Sequence, residues 1–168
     1  MNRIASSVLT ASVLIFGVFL PREDAVAQAA KELVGTWTLV SSTLEQGDEK
    51  TDFYGPNPQG QQIFEANGRF SLIVTRSDLP KFASNNRQAG TPEENKAIVG
   101  GSIAYFGTYS VGEADHALNF HIEGSTFPNW KGSDQKRLFK LRGDELSWTN
   151  PTASSGAGTA QTVWKRVQ

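Results

Sequence analysis

The chain has 168 residues with 16 Lys+Arg against 17 Asp+Glu, a formal charge of −1 and a hydrophobic fraction of 38%, a balance that suits one ordinary globular domain and argues against disorder. A charge so near zero supplies no field for polyphosphate or an anionic membrane surface, which argues against nucleic acid as a partner. The absence of cysteine excludes disulfides, thiol nucleophiles, cysteine-ligated metals and a lipidated N-terminal cysteine together.

Met1 to Arg3 is a short basic start, Ile4 to Leu20 is an apolar run softened by Ser6, Ser7, Thr10 and Ser12, and Pro21 stops it. Ala25-Val26-Ala27 then offers the small-x-small pattern that signal peptidase reads. The expectation is a cleaved signal peptide over residues 1–27 and an exported domain over 28–168, beginning at Gln28, periplasmic or secreted and without stable membrane insertion. The competing reading is an uncleaved membrane anchor.

Beyond Lys31 short alternating apolar stretches are each followed by a turn signal, the pattern of an antiparallel sheet with one wet face. It predicts strands over Gly35 to Ser42, Gly60 to Ala66, Arg69 to Arg76, Ile103 to Val111, Ala117 to Gly124, Asp134 to Leu141, Glu145 to Thr149 and Gln161 to Val167. Asn67-Gly68 predicts a type I′ hairpin, and Glu113 to His116 and Arg142 to Asp144 predict two more hairpin loops. Thr91-Pro92-Glu93-Glu94 has the capping hydroxyl, the first-position proline and the glutamate of a helix start, so one short helix lies in the long connection Ser77 to Ser102, ending before Gly100-Gly101. About eight strands with little helix predict an all-β fold, an antiparallel up-and-down barrel whose closure removes exposed edges. Thr152 to Ala160 reads as a flexible loop.

Gly35-Thr36-Trp37 opens the first strand, and Trp164-Lys165-Arg166 ends the last. This resembles the lipocalin and wider calycin pattern, in which an early Gly-x-Trp packs at the closed barrel end under a late basic side chain, here Arg166 or Lys165. Phe53-Tyr54-Gly55-Pro56-Asn57-Pro58-Gln59-Gly60, Leu79-Pro80-Lys81-Phe82-Ala83-Ser84, Gly90-Thr91-Pro92-Glu93-Glu94 and Ile103-Ala104-Tyr105-Phe106-Gly107-Thr108-Tyr109 follow in order. His121-Ile122-Glu123-Gly124-Ser125, Phe127-Pro128-Asn129-Trp130 and Asp134-Gln135 complete a likeness to the bacterial and fungal lipocalin-like domain family. The resemblance implies a barrel with an internal cavity and implies no reaction.

Parity along each strand sorts the candidate site residues. On Ala117 to Gly124 one face carries Leu118, Phe120 and Ile122, the other Asn119, His121 and Glu123. The strand by itself favours water for the second set; the position of His121 and Glu123 within the resembling string brings a polar cavity level with it, and the site reading takes them as facing that cavity together with Arg137. Tyr105 and Tyr109 share a face, with Gly107 leaving a gap for a ligand. Arg137 lies with Gln135, Phe139 and Leu141 and is read as an inward cation for a carboxylate, with Arg76 as a second candidate. Tyr54, Phe127 and Trp130 sit on aromatic-rich loops of the kind that form a site at a barrel mouth, or a plug that seals it.

Arg142-Gly143-Asp144 fits a hairpin turn better than an adhesive tripeptide, and Gly156-Ala157-Gly158 lacks the context of a dinucleotide loop. His116 and His121 are too few for a zinc site, no Gly-x-Ser-x-Gly elbow is present, and neither metal nor cofactor is expected. The reading is an exported barrel binding a small, mainly apolar or amphipathic molecule with a polar or anionic end. Its rivals are a cofactor-free isomerase or cyclase using His121, Glu123 and a tyrosine as acid and base, and a structural or envelope-stress protein with a filled barrel.

Overall fold

The computed structural model describes residues 22–112 and 117–168. A helix α1 (Arg22–Leu33) leads into β1 (Gly35–Gln46), β2 (Glu49–Asp52), β3 (Gln59–Phe64) and β4 (Arg69–Thr75). A second helix α2 (Pro92–Gly101) is followed by β5 (Ser102–Val111), β6 (Ala117–Ser125), β7 (Asp134–Arg142), β8 (Glu145–Asn150) and β9 (Thr159–Arg166). All neighbours are antiparallel in the order β2-β1-β3-β4-β5-β6-β7-β8-β9, and β1 also pairs with β9. That last pairing closes an eight-stranded up-and-down barrel, with β2 as an added ribbon on the far half of β1. Among the described residues no helix is long and apolar enough to cross a membrane.

The hairpins follow turn chemistry, with one correction. Gly68 takes φ 82° while Asn67 stays at negative φ, Gly68 N–H donates to the Glu65 carbonyl at 3.1 Å, and the Asn67 side chain accepts from Arg69 N–H at 2.9 Å. The turn is therefore a type I turn closed by a left-handed glycine rather than type I′, because the asparagine side chain holds its own backbone. Arg142 pairs directly with Glu145 across a two-residue turn, with Gly143 at φ 57°. The predicted loop at Glu113 to His116 lies outside the described residues.

Two elements escape the strand pattern. The run Arg-Glu-Asp-Ala-Val-Ala-Gln-Ala-Ala-Lys-Glu-Leu forms α1 because alanine and long-chain residues favour helix; the expected cleavage after Ala27 falls within it. The four polar residues of β2 carry no alternation, and only their pairing with β1 makes them a strand. At α2 the expected cap is in place, the Thr91 hydroxyl accepting from Glu94 N–H at 3.2 Å and the Glu94 carboxylate from Thr91 N–H at 2.9 Å. The helix runs on through Gly101. Glu94 also accepts from Ala83 N–H at 2.9 Å, which ties the long connection to the helix.

Two bulges redirect side chains. A register shift between Leu39 and Ser41 makes Trp37, Leu39 and then Ser42 the inward residues of β1. Opposite, a shift at Phe106–Gly107 leaves Glu123 of β6 without a register partner on β5. A Cβ on Gly107 would lie 1.9 Å from the His121 carbonyl oxygen. The gap read at Gly107 is thus filled by the neighbouring strand at the bulge and gives no ligand access.

The closed end is built on Trp37, which is fully buried and donates from Nε1 to the Leu33 carbonyl at 2.9 Å. The Arg166 guanidinium, rather than exposed Lys165, lies 4.2 Å from the Trp37 ring centroid. It donates to the carbonyls of Val34 (2.9 Å) and Glu32, so it caps the end of α1 while covering the indole. Gly35 is required there: its φ is 134°, and a Cβ would stand 2.9 Å from an Arg166 nitrogen. Urea unfolding of Trp37→Ala is expected to show a loss of about 3–5 kcal/mol, and Arg166→Ala about 1–3 kcal/mol. Equal losses would contradict this account of the closed end.

Candidate functional site

Trp37, Phe64, Phe70, Leu118, Phe120, Ile122 and Leu146 belong to the packed core and lie outside the cavity lining. The open half retains a cavity of about 40 Å³, lined by side chains that include Leu72, Val74, Ile103, Tyr105, Trp130, Arg137, Trp148 and Trp164. That volume holds about three waters. Beyond Phe53 and Tyr54 a second, wider cavity of about 460 Å³ lies between Ile98 and Val99 of α2, Phe127 and Ser154-Ser155. The two share Phe53, Tyr54, Ile103 and Ser154, so the Phe53-Tyr54 pair forms the partition between mouth and interior.

Arg137 is the charged centre of the inner cavity and is only 1% exposed. Alternation along β7 turns Gln135 and Arg137 inward together. The guanidinium donates to the Gln135 side-chain carbonyl and to the Lys136 main-chain carbonyl at 3.3 Å, with the Tyr105 phenol beside it. The rings of Phe120 and Trp130 flank it, each centroid 6.0 Å away. Among the described residues no carboxylate faces it, and the cavity lining contains no Asp or Glu. Burial pushes the Arg137 pKa below its ordinary value.

The loops over this centre are pinned. Phe53 N–H donates to the Ser42 carbonyl at 2.9 Å, and Gly55 N–H closes a turn onto Asp52 at 3.1 Å. One turn of 3₁₀ helix at Pro128–Trp130 is fixed to β6, where Gly132 N–H donates to the Ile122 carbonyl at 2.7 Å. This holds Trp130 edge-on to Tyr105 (5.3 Å) and Phe127 edge-on to Trp130 (5.7 Å). Aromatics held in this way present area without losing rotamer freedom on binding.

Of the residues singled out in the sequence, Tyr54, Tyr105, Trp130 and Arg137 meet at the inner cavity, and Phe127 lines the mouth. The others lie elsewhere. His121 and Glu123 point outward from β6, their side chains 50% and 36% exposed. Leu118, Phe120 and Ile122 take the inner face, because burying the aliphatic set is worth more than burying a histidine and a glutamate. His121 Nδ1 lies 2.7 Å from Asp134, and Glu123 accepts from Arg69 at 2.8 Å and 3.2 Å. The hydrogen bond from Arg69 holds the Glu123 carboxyl below its usual pKa. The expected inward polar patch of His121, Glu123 and Arg137 is therefore reduced to Arg137, and the acid–base pair of the isomerase reading lies on the outer wall. Arg76 is exposed and bidentate to Asp78 at 2.8 Å. Tyr109 stacks edge-on with Phe64 and donates to the Glu65 carbonyl at 3.1 Å, toward the closed end.

Sequence reasoning passed over Ser42, Trp148, Asn150, Thr162 and Trp164 as cavity residues. The inward rows Trp148-Asn150 and Ala160-Thr162-Trp164 follow strand parity on β8 and β9. Ser42 was hidden by the bulge in β1.

All three tyrosines sit above the ordinary phenol pKa of 10.0, with burial the first cause in each; at Tyr105 the neighbouring Arg137 cation opposes the rise and burial prevails. Since folding raises these values, the stability the phenols contribute is complete below pH 10 and is lost as pH rises through the folded values. Ultraviolet titration is expected to show the Tyr54 and Tyr105 phenolates above the ordinary phenol range, their signal arriving together with alkaline unfolding. All three tyrosines titrating at the ordinary phenol value in the folded protein would contradict the packing described.

A model of the lipocalin-like domain family matches residues 34–167. The 4'-hydroxy-3'-methoxypropiophenone carrier protein ppsC of Aspergillus oryzae is 31% identical over 94 residues, which cover 51% of this chain and 85% of that protein. Among solved structures, a lipocalin-like protein from Bacteroides uniformis aligns with TM-score 0.42 and 17% identity over 81% of this chain and 99% of its own. A biogenic amine-binding protein aligns with TM-score 0.39 and 12% identity over 80% of this chain and 64% of its own. With its closed barrel and a family match running from the Gly-x-Trp strand to the last, the chain belongs to the lipocalin-like domain family.

Proposed function

We propose that this chain is an exported carrier of a small, mainly apolar molecule bearing an anionic or otherwise electron-rich end. The observation that carries the reading is Arg137, a cation withdrawn from water into an aromatic cavity with no acidic partner among the described residues. Such a charge is expensive to bury uncompensated, and a ligand carboxylate or phenolate supplies the missing partner. The lining favours the same chemistry: Arg137 and the Trp164 indole are donors only, and no carboxylate is present to hold an ammonium. Trp130, Trp148 and Tyr105 supply flat apolar surface for the body of the ligand. The Aspergillus oryzae relative, named as a carrier of a substituted propiophenone, supports carriage of an aromatic compound.

A cavity of about 40 Å³ is too small for such a ligand with Tyr54 in place, so loading swings the Tyr54 side chain toward the wider mouth while the backbone stays held at Ser42 and Asp52. Against the filled-barrel reading stand the inner cavity and the buried guanidinium on its wall.

Anilinonaphthalene sulfonate, an aromatic anion, is expected to bind the wild-type chain with blue-shifted fluorescence and to bind Arg137→Met at least about tenfold more weakly, as for loss of a charge-assisted hydrogen bond. Unchanged affinity in the variant, or no binding to the wild type, would contradict the reading. Recovered from outside the cytoplasm of its source, the chain is expected to begin at Gln28, and native mass spectrometry to show a bound acidic aromatic compound.

A further inference from the structure

The cavity contains a second unmatched polar group. Trp164 is fully buried and lines the cavity, and its indole Nε1 has no hydrogen-bond partner. The contrast with Trp37 is direct, since that indole is equally buried and donates to the Leu33 carbonyl. Two strands away the fully buried Gln62, which is not part of the cavity lining, also has both side-chain polar atoms unpartnered. Buried polar groups are almost always paired, so unpartnered ones on a binding cavity mark where a ligand completes them.

Resting on the carrier reading, we infer that Trp164 Nε1 is a second anchor, donating to a neutral oxygen of the carried molecule whose acidic end lies at Arg137. An indole N–H only donates, so the group it meets is an ether, carbonyl or hydroxyl oxygen. Trp148 stands between the two anchors as an apolar face, its ring centroid 5.4 Å from that of Trp164, with Phe120 and Phe64 behind it at 6.1 Å and 6.4 Å. The ligand class is therefore an aromatic acid with an oxygen acceptor at the end of the ring system opposite the acid. An aromatic amine lacks a partner at Arg137, and an aromatic acid with a plain hydrocarbon tail leaves Trp164 unmatched.

The test compares two isosteric probes, para-methoxycinnamate and para-ethylcinnamate, which differ by an oxygen in place of a methylene. Wild-type protein is expected to bind the methoxy acid about fivefold more tightly, the worth of one neutral hydrogen bond to a buried group. In Trp164→Phe that preference is expected to vanish while both acids still bind. In nitrogen–proton spectra of the wild type the Trp164 indole proton is expected to move downfield with the methoxy acid alone, a readout that survives if the variant fails to fold. Equal affinities in the wild type, a preference kept in Trp164→Phe, or an indole signal indifferent to the probe would overturn the inference. Arg137-dependent binding of both acids with no preference refutes the second anchor alone, whereas failure of both to bind the wild type refutes the carrier reading itself.

Discussion

A guanidinium buried among aromatic rings with no carboxylate opposite is the constraint on which the open half of this barrel depends. Among the described residues the hydrogen bonds of Arg137 go to neutral groups, the side chain of Gln135 and the carbonyl of Lys136, with the Tyr105 phenol beside them. Gln135 is in turn fixed by donating to Ser133 at 3.1 Å, and Ser133 donates to the Trp130 carbonyl at 2.7 Å. The same short chain of bonds thus orients the cation and sets the aromatic loop over it. Hydrogen bonds of this kind reduce the desolvation of a charge without removing it, which leaves the cavity selective for an acceptor.

The two inward arginines of the barrel show what a different partner set does. Arg166 meets two main-chain carbonyls left over at the end of α1 and covers the Trp37 ring, so its charge is absorbed by the fold and closes the barrel. Arg137, at the other half, is left with an unabsorbed charge. Between them the interior changes from packed aromatics to a lined space, closed toward the mouth by Phe53 and Tyr54. Glycine at position 101 leaves room for the Arg76 side chain beside α2, and Gly55 of the loop lies against the same side chain, so the Arg76–Asp78 pair belongs to the outer support of the mouth.

Strand parity made much of this legible. Alternation on Asp134 to Leu141 placed Arg137 inside with Gln135, and alternation on Ile103 to Val111 placed Tyr105 inside. The Gly-x-Trp strand and the late arginine likewise predicted the closed end. Parity was equally clear on β6, where Leu118, Phe120 and Ile122 mark the inner face; putting His121 and Glu123 inside set a string likeness above the larger apolar burial. Bulges defeated it elsewhere, since one extra residue in β1 moves Ser42 to the inner face and the Phe106–Gly107 shift gives Gly107 a backbone reason for being glycine. Helix α1 and strand β2 are not legible in this way, because the first half of α1 falls within the expected address and β2 has no alternation to read.

The central claim is that Arg137 serves a ligand and not the fold, and it is tested most directly by the stability of ligand-free Arg137→Met in chemical denaturation. Methionine fills a similar space without a charge to desolvate, so the account predicts a variant as stable as the wild type or more stable. A loss of about 3 kcal/mol or more, the size expected when a buried network is broken, would show that Arg137 holds the barrel together and would contradict the account.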